Sequence, residues 1–173
     1  MDKERVALFV DGANMFYAQR KLGWKIDYAK VYQHFTDKKK TYNAFYYTGI
    51  KGPKSASAFI RKLTFLGYTV RTKEVKTIHK EKNQTEEKCN LDIEITIDMF
   101  NTANNYDEAI IFSGDSDFER AIELLRSKGK KIIVVSTEGM IALELINAAD
   151  TYIDLKNIKA ELEKICKKDA PPN

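Results

Sequence analysis

Apolar and polar stretches alternate along the chain in a way that predicts a repeated strand and helix order. Val6-Ala7-Leu8-Phe9-Val10 is apolar without a break, the pattern of a strand covered on both faces inside a parallel sheet. It runs into Asp11-Gly12-Ala13-Asn14, where Gly12 permits a tight turn and Asn14 suits the N-cap of a helix over residues 15–22 that Gly23 ends. Asp27 caps a second helix reaching about Phe35. Residues 41–48, rich in aromatic side chains, predict the next strand, and Pro53 is placed to open a helix over residues 55–66. A third strand follows over 68–75. A further buried strand, Ala109-Ile110-Ile111-Phe112, meets Ser113-Gly114-Asp115-Ser116-Asp117-Phe118 and then an amphipathic helix to about Lys128. Residues 131–136 form another apolar strand, 139–147 a short helix and 151–155 an edge strand. A terminal amphipathic helix over 157–168 precedes a frayed tail.

Two stretches resist this reading. Residues 76–90 are polar and charged, which predicts a loop or an extended hairpin. Leu91-Asp92-Ile93-Glu94-Ile95-Thr96-Ile97-Asp98-Met99-Phe100 alternates with period two, which by local rules is a strand. A strand there would break the regular alternation ahead of the strand that starts near Glu108, so we read it as a helix buried on several sides. The sum is an α/β fold with a mostly parallel central sheet, one domain over residues 1–173 with its core at about 5–155.

Composition narrows the function classes. With 43% hydrophobic and 31% charged residues the chain has the profile of a soluble globular protein. No apolar run approaches the roughly 20 residues that span a bilayer. Met1-Asp2-Lys3-Glu4-Arg5 lacks the parts of a signal peptide, so a cytoplasmic location is the expectation. Cys89 and Cys166 are far apart and only two histidines are present, which disfavours a Cys/His zinc site. A metal here would be held by oxygen, which points to magnesium or manganese. The net charge of +4 is compatible with a polyanionic partner without requiring one.

The candidate chemistry lies where strands end. Ligands of open α/β sheets bind at the carboxyl ends of strands. Two apolar strands here end close to an aspartate, Asp11 and Asp115, which suggests carboxylates converging on one cation. Much of this has a plain structural account. Asp11 and Asn14 can turn and cap the chain, Ser116 and Glu119 fit a capping box, and Asp117 complements a helix dipole. Asp92 is favoured in the first turn of its helix for the same dipole reason, and Glu94 and Asp98 form an i,i+4 pair suited to a solvated face. Asp115 at its strand end is left over.

Taken together, Phe9-Val10-Asp11-Gly12-Ala13-Asn14, Lys88 with Asp92 and Asp98, and Ser113-Gly114-Asp115-Ser116-Asp117-Phe118 resemble the NYN domain. The likeness is to its bacterial LabA-like, or DUF88, branch within the PIN-like nuclease superfamily, and it covers about residues 5–155. It implies a PIN-like, Rossmann-like three-layer sandwich and a metal-dependent ribonuclease. It also implies that Asp11, Asp92 and Asp115 hold magnesium or manganese, with Asp117 beside them and Asn14 orienting substrate or water. Asp98 is a secondary candidate, and Lys54, Lys88 and Ser113 are candidates for substrate contact. The family places its lysine three residues before the helix aspartate in a K-G-V-D pattern. Lys88 stands four before Asp92 and the glycine is missing, a departure that bears on the lysine and not on the aspartate.

The implied chemistry is coherent, because clustered carboxylates repel one another and a divalent ion relieves that cost. Such an ion lowers the pKa of water and stabilises charge on a phosphate, which gives RNA hydrolysis leaving a 5′-phosphate. The expected partner is RNA, single-stranded or structured; whether a second copy completes a groove as a homodimer stays open at this point. Lys38, Lys39, Lys40, Lys51, Lys54, Arg61 and Lys62 could track phosphates, with Tyr46 and Tyr47 stacking on bases, although such residues are more often surface and core. The alternative is a nucleic-acid-binding regulatory module of the same fold that cuts weakly or not at all. A HAD-type phosphatase needs a second aspartate where Ala13 stands, and Gly12-Ala13 argues against the acidic pair of a response-regulator receiver.

Overall fold

The computed structural model describes residues 4–52, 57–80 and 84–165, with the backbone alone for 57, 77–80 and 84–88. In chain order the elements are β1 (Arg5–Asp11), α1 (Gly12–Leu22), α2 (Tyr28–Thr36), β2 (Lys40–Ile50), α3 (Ser57–Phe65) and β3 (Tyr68–Glu74). The hairpin β4 (Lys76–Lys80) and β5 (Gln84–Lys88) leads to α4 (Asp92–Asn101) and β6 (Glu108–Phe112). Then come α5 (Glu119–Ser127), β7 (Lys131–Ser136), α6 (Leu143–Ala148), β8 (Thr151–Asp154) and α7 (Lys159–Leu162).

Six strands form one sheet in the order β3-β2-β1-β6-β7-β8, and every pairing in it is parallel. The apolar run of β1 explains its central place: Val6 to Val10 are all fully buried, and the side chains of Val6, Leu8, Phe9 and Val10 each contribute about 1.5–3 kcal/mol. Because side chains alternate along a strand, Val6, Leu8 and Val10 pack on one face with Met15, Val31 and Leu63 from α1, α2 and α3. Ala7 and Phe9 pack on the other with Ile95, Ile122 and Leu145 from α4, α5 and α6. Crossovers between parallel strands are right-handed as a rule, so the helices change face where the chain changes direction across the sheet. From β1 the chain builds outward through β2 to β3, then returns to place β6 on the other side of β1. The reversal leaves a crevice between β1 and β6 at their carboxyl ends, the place where such sheets hold ligands.

The disputed segment is the helix α4, and its apolar positions divide in a way that explains the misleading alternation. Leu91, Ile95 and Met99, four apart, are buried, whereas Ile93 is 69% and Ile97 51% exposed. It is therefore buried on one side and not on several. Within the 76–90 segment β4 and β5 pair antiparallel, Lys76 with Lys88 and Lys80 with Gln84.

Three local expectations are corrected. Helix α1 starts at Gly12 with Asp11 as its N-cap, not at Met15 with Asn14, because the Asp11 carboxylate itself accepts the Asn14 N–H. Gly12 makes the early start feasible, since a Cβ there would collide with the Tyr47 carbonyl oxygen and lie 2.8 Å from the Tyr46 ring. The expected capping box of Ser116 and Glu119 does not form. Asp115 caps a single 3-10 turn, Ser116–Phe118, and its side chain takes the Asp117 N–H. The terminal helix ends at Leu162, because the chain then turns extended and pairs with the segment before α2. The Asp27 N–H donates to Leu162 O at 2.8 Å and the Lys164 N–H to Lys25 O at 2.8 Å. Lys54 and the tail lie outside the described residues.

Candidate metal centre

Four carboxylates meet at the crevice, each delivered by a different piece of local structure. Asp11 is both the last residue of β1 and the cap of α1, so its Oδ1 accepts the Asn14 N–H at 3.0 Å. Its Oδ2 accepts the Ser113 hydroxyl at 3.2 Å, and the same hydroxyl accepts the Asp115 N–H at 3.3 Å. Asn14 joins the two strand ends, its side-chain oxygen accepting the Gly114 N–H at 3.2 Å. Ser113 is fully buried beneath the acids it links, away from the cleft wall. Gly114 sits so tightly that a Cβ would collide with the Met140 carbonyl oxygen and approach Ser136 Oγ at 2.7 Å.

Asp92 comes from the opposite side of the crevice, as the first residue of α4. Its N–H donates to Asn90 Oδ1 at 2.7 Å, and Lys73 Nζ holds the same stretch by reaching Asn90 O at 3.0 Å and Glu94 Oε1 at 2.8 Å. Carboxylate oxygens of Asp92, Asp115 and Asp117 all lie within 4.8 Å of one another. Asp11 stands next to this trio, lining a cleft of about 440 Å³ together with Asp92, Asp115, Asn14, Asn90 and Tyr17. The tight group is thus Asp92, Asp115 and Asp117, where the sequence pointed to Asp11, Asp92 and Asp115.

The electrostatics are those of an incomplete site. Burial pushes the Asp11 carboxyl above its ordinary value, hydrogen bonds from Asn14, Ser113 and Ala13 pull it back, and the Asp115 charge raises it further. Burial also raises Asp92; Asn90 opposes this, and the charges of Asp11, Asp115 and Asp117 add to it. Acids elsewhere are matched with cations: Asp98 with Arg71, Asp107 with Arg5, Asp150 with Arg126 and Glu138 with Lys156. Among the described residues none of the four acids has an ion-pair partner, and no lysine or arginine lines the cleft; Asp117 lies just outside it, in an adjoining pocket that Asp92 and Lys73 also line, with Lys73 paired to Glu94. A set of hard oxygen donors with no ion-pair partner among the described residues fits a magnesium-like ion.

Asp98 is not brought to this group. Its Oδ2 accepts the Tyr47 hydroxyl and the Arg71 Nε, both at 3.0 Å, which makes it a buttress between α4 and the sheet. Lys88 ends β5 opposite Lys76. Tyr46 and Tyr47 are buried in the two cores, so neither offers a face to a base. Asn90 and Tyr17 escaped the sequence reading. Asn90 had a signal in its place two residues ahead of a helix-opening aspartate, and Tyr17 in its i,i+3 spacing from Asn14.

Comparison with known proteins identifies the family. The NYN domain profile matches residues 5–157. The chain belongs to the NYN domain family. This NYN domain is 54% identical over 164 residues to the "Low amplitude and bright protein LabA" of Synechococcus elongatus, covering 92% of this chain and 88% of that protein. Its fold is shared by a protein of unknown function, VPA0982, from Vibrio parahaemolyticus. That structure superposes with a TM-score of 0.76 at 24% identity, covering 94% of this chain and 97% of the other. NYN domains fall within the PIN-like nuclease superfamily and generally act on RNA. Among the described residues no helix is long and apolar enough to cross a membrane.

Proposed function

We propose that this NYN domain is a ribonuclease that hydrolyses RNA phosphodiester bonds with a divalent ion, magnesium or manganese. The observation that carries the reading is the convergence of Asp92, Asp115 and Asp117 within 4.8 Å, none of them in an ion pair among the described residues. These three would hold the ion, with Asp11 completing the acidic wall. When bound, the ion supplies charge for the phosphate oxygens and lowers the pKa of an attacking water.

The protein's own part is placement. Ser113 and Asn14 lock the ends of β1 and β6 together, so Asp11 and Asp115 cannot drift apart under their mutual repulsion. Asn90 and Lys73 fix the entry to α4 and so the position of Asp92. The test is incubation of labelled single-stranded RNA with the purified protein in magnesium, manganese or EDTA. Cleavage should need the metal, and Asp92→Asn or Asp115→Asn should lower the rate by about 100-fold or more, since several kcal/mol of charge stabilisation is at stake. Full metal-dependent cleavage by either variant would remove this reading. Salt-sensitive binding without cleavage would replace it with a regulatory module.

A further inference from the structure

Beside the acidic cleft runs a second, larger groove of about 730 Å³, and the two share Ala13, Tyr17 and Gly49 as a common wall. Three aromatic side chains line it without being part of the core: Phe16 is 54% exposed, Tyr17 58% and Phe59 46%. Their rings are held in place. Phe16 and Tyr17 meet edge to face at 5.5 Å, and Phe59 is set edge-on against Tyr46 at 5.5 Å and Tyr28 at 5.9 Å. Lys25 and Lys164 line the same groove, both exposed and neither in an ion pair among the described residues. Scattered exposed aromatics need no explanation, but three lining one groove that opens beside the acids do.

We propose that this groove is the track of a single RNA strand entering the acidic cleft. Tyr17 and Phe59, with Phe16 beside them, stack on unpaired bases, while Lys25 and Lys164 meet phosphates. The proposal rests on the ribonuclease reading and adds the path of the strand and the side chains that hold it. Aromatic faces select single strands because the bases of a duplex are already stacked on one another. The arrangement also separates two tasks: cations and rings hold the strand along the groove, whereas the cleft itself offers only acids to the bond to be cut. A protein segment would use the apolar walls and have no need of lysines beside an acidic cleft.

The test is fluorescence anisotropy with a labelled 12-nucleotide RNA, single-stranded or annealed, in magnesium and in the Asp115→Asn background, where cutting does not interfere. The single strand should bind more tightly than the duplex. Tyr17→Ala and Phe59→Ala should each weaken binding by about ten-fold or more, the effect of losing one stacked base. Tyr17→Phe should restore it, and Phe65→Ala, at a ring 91% exposed that lines neither cavity, should leave it unchanged. Circular dichroism checks that each variant is folded. Equal binding by Tyr17→Ala and the parent, tighter binding of the duplex, or loss in Phe65→Ala as large as in Tyr17→Ala would each overturn the proposal. If the wild type binds single strands through these rings but cuts nothing in either metal, the ribonuclease reading fails and the track stands. If it cuts and Tyr17→Ala binds unchanged, the track alone fails.

Discussion

Asp92 and Asp98 stand on the same helix and look alike in the sequence, yet their surroundings assign them opposite work. Asp92 faces other carboxylates and has no ion-pair partner among the described residues, whereas Asp98 is gripped by the Arg71 guanidinium and the buried Tyr47 hydroxyl. Asp98→Ala should therefore lower stability by about 1–3 kcal/mol, since it leaves a buried hydroxyl unpaired. Urea unfolding would measure this, and stabilisation by magnesium should survive the change. The same treatment of Asp92 should do the reverse, sparing stability without metal and removing the response to it. Gly114 offers a second test at this scale. Gly114→Ala drives a methyl group into the Met140 carbonyl, and overpacking of this kind costs about 1–3 kcal/mol. Because the strain falls on the turn that carries Asp115, RNA cleavage at a temperature where the variant is still folded should drop as well.

Among the elements, β6 depends on its neighbours along its whole length. All five of its residues are buried, including Glu108 at the end of the strand away from the acids. Burial alone would raise the Glu108 carboxyl, but the ammonium groups of Lys131, at 2.7 Å, and Lys39 hold it below its ordinary value of 4.5. A carboxylate with a depressed folded pKa stabilises above its unfolded value and loses that contribution as the pH falls through the folded one. Stability followed by urea unfolding from about pH 7 to about pH 3 should fall on the acid side, and Glu108→Gln should flatten that limb. An unchanged slope would show that Glu108 contributes nothing. Helix α4 teaches a different lesson at this scale. Its period-two sequence is that of a strand, and only the need to return from β3 to the far side of β1 selects a helix.

At the level of the whole molecule, the switch of direction at β1 creates the site. Had the chain continued outward from β3, Asp11 and Asp115 would not have ended on adjacent strands, and α4 would not have brought Asp92 across from the opposite face. A metal bound only by the folded state must stabilise the fold, by about 2.7 kcal/mol at one hundred times its dissociation constant. Thermal unfolding of the wild type should thus shift upward with magnesium or manganese, while an Asp92→Asn, Asp115→Asn double variant should not respond. An equal shift in the variant would place the ion elsewhere.

The strand and helix order, the central place of β1 and the two strand-end aspartates were all legible from the sequence. They follow from local rules: an unbroken apolar run needs cover on both faces, and short polar residues after it turn the chain. Asp92 and Asp117 were readable as helix-start acids, a role that each has a local reason to fill, and Asp115 as the strand-end acid that no such role explained. What the sequence could not separate was capping from ligation, since the same carboxylate serves both. Tertiary structure decided that Asp11 and not Asn14 caps α1, that Asp98 is a buttress, and that Tyr46 and Tyr47 belong to the core while Tyr17 and Phe16 look outward. Each of these depends on residues distant in the chain, such as Arg71 beside Asp98 or Ser113 beside Asp11, whose approach is set by strand register and not by spacing along the sequence.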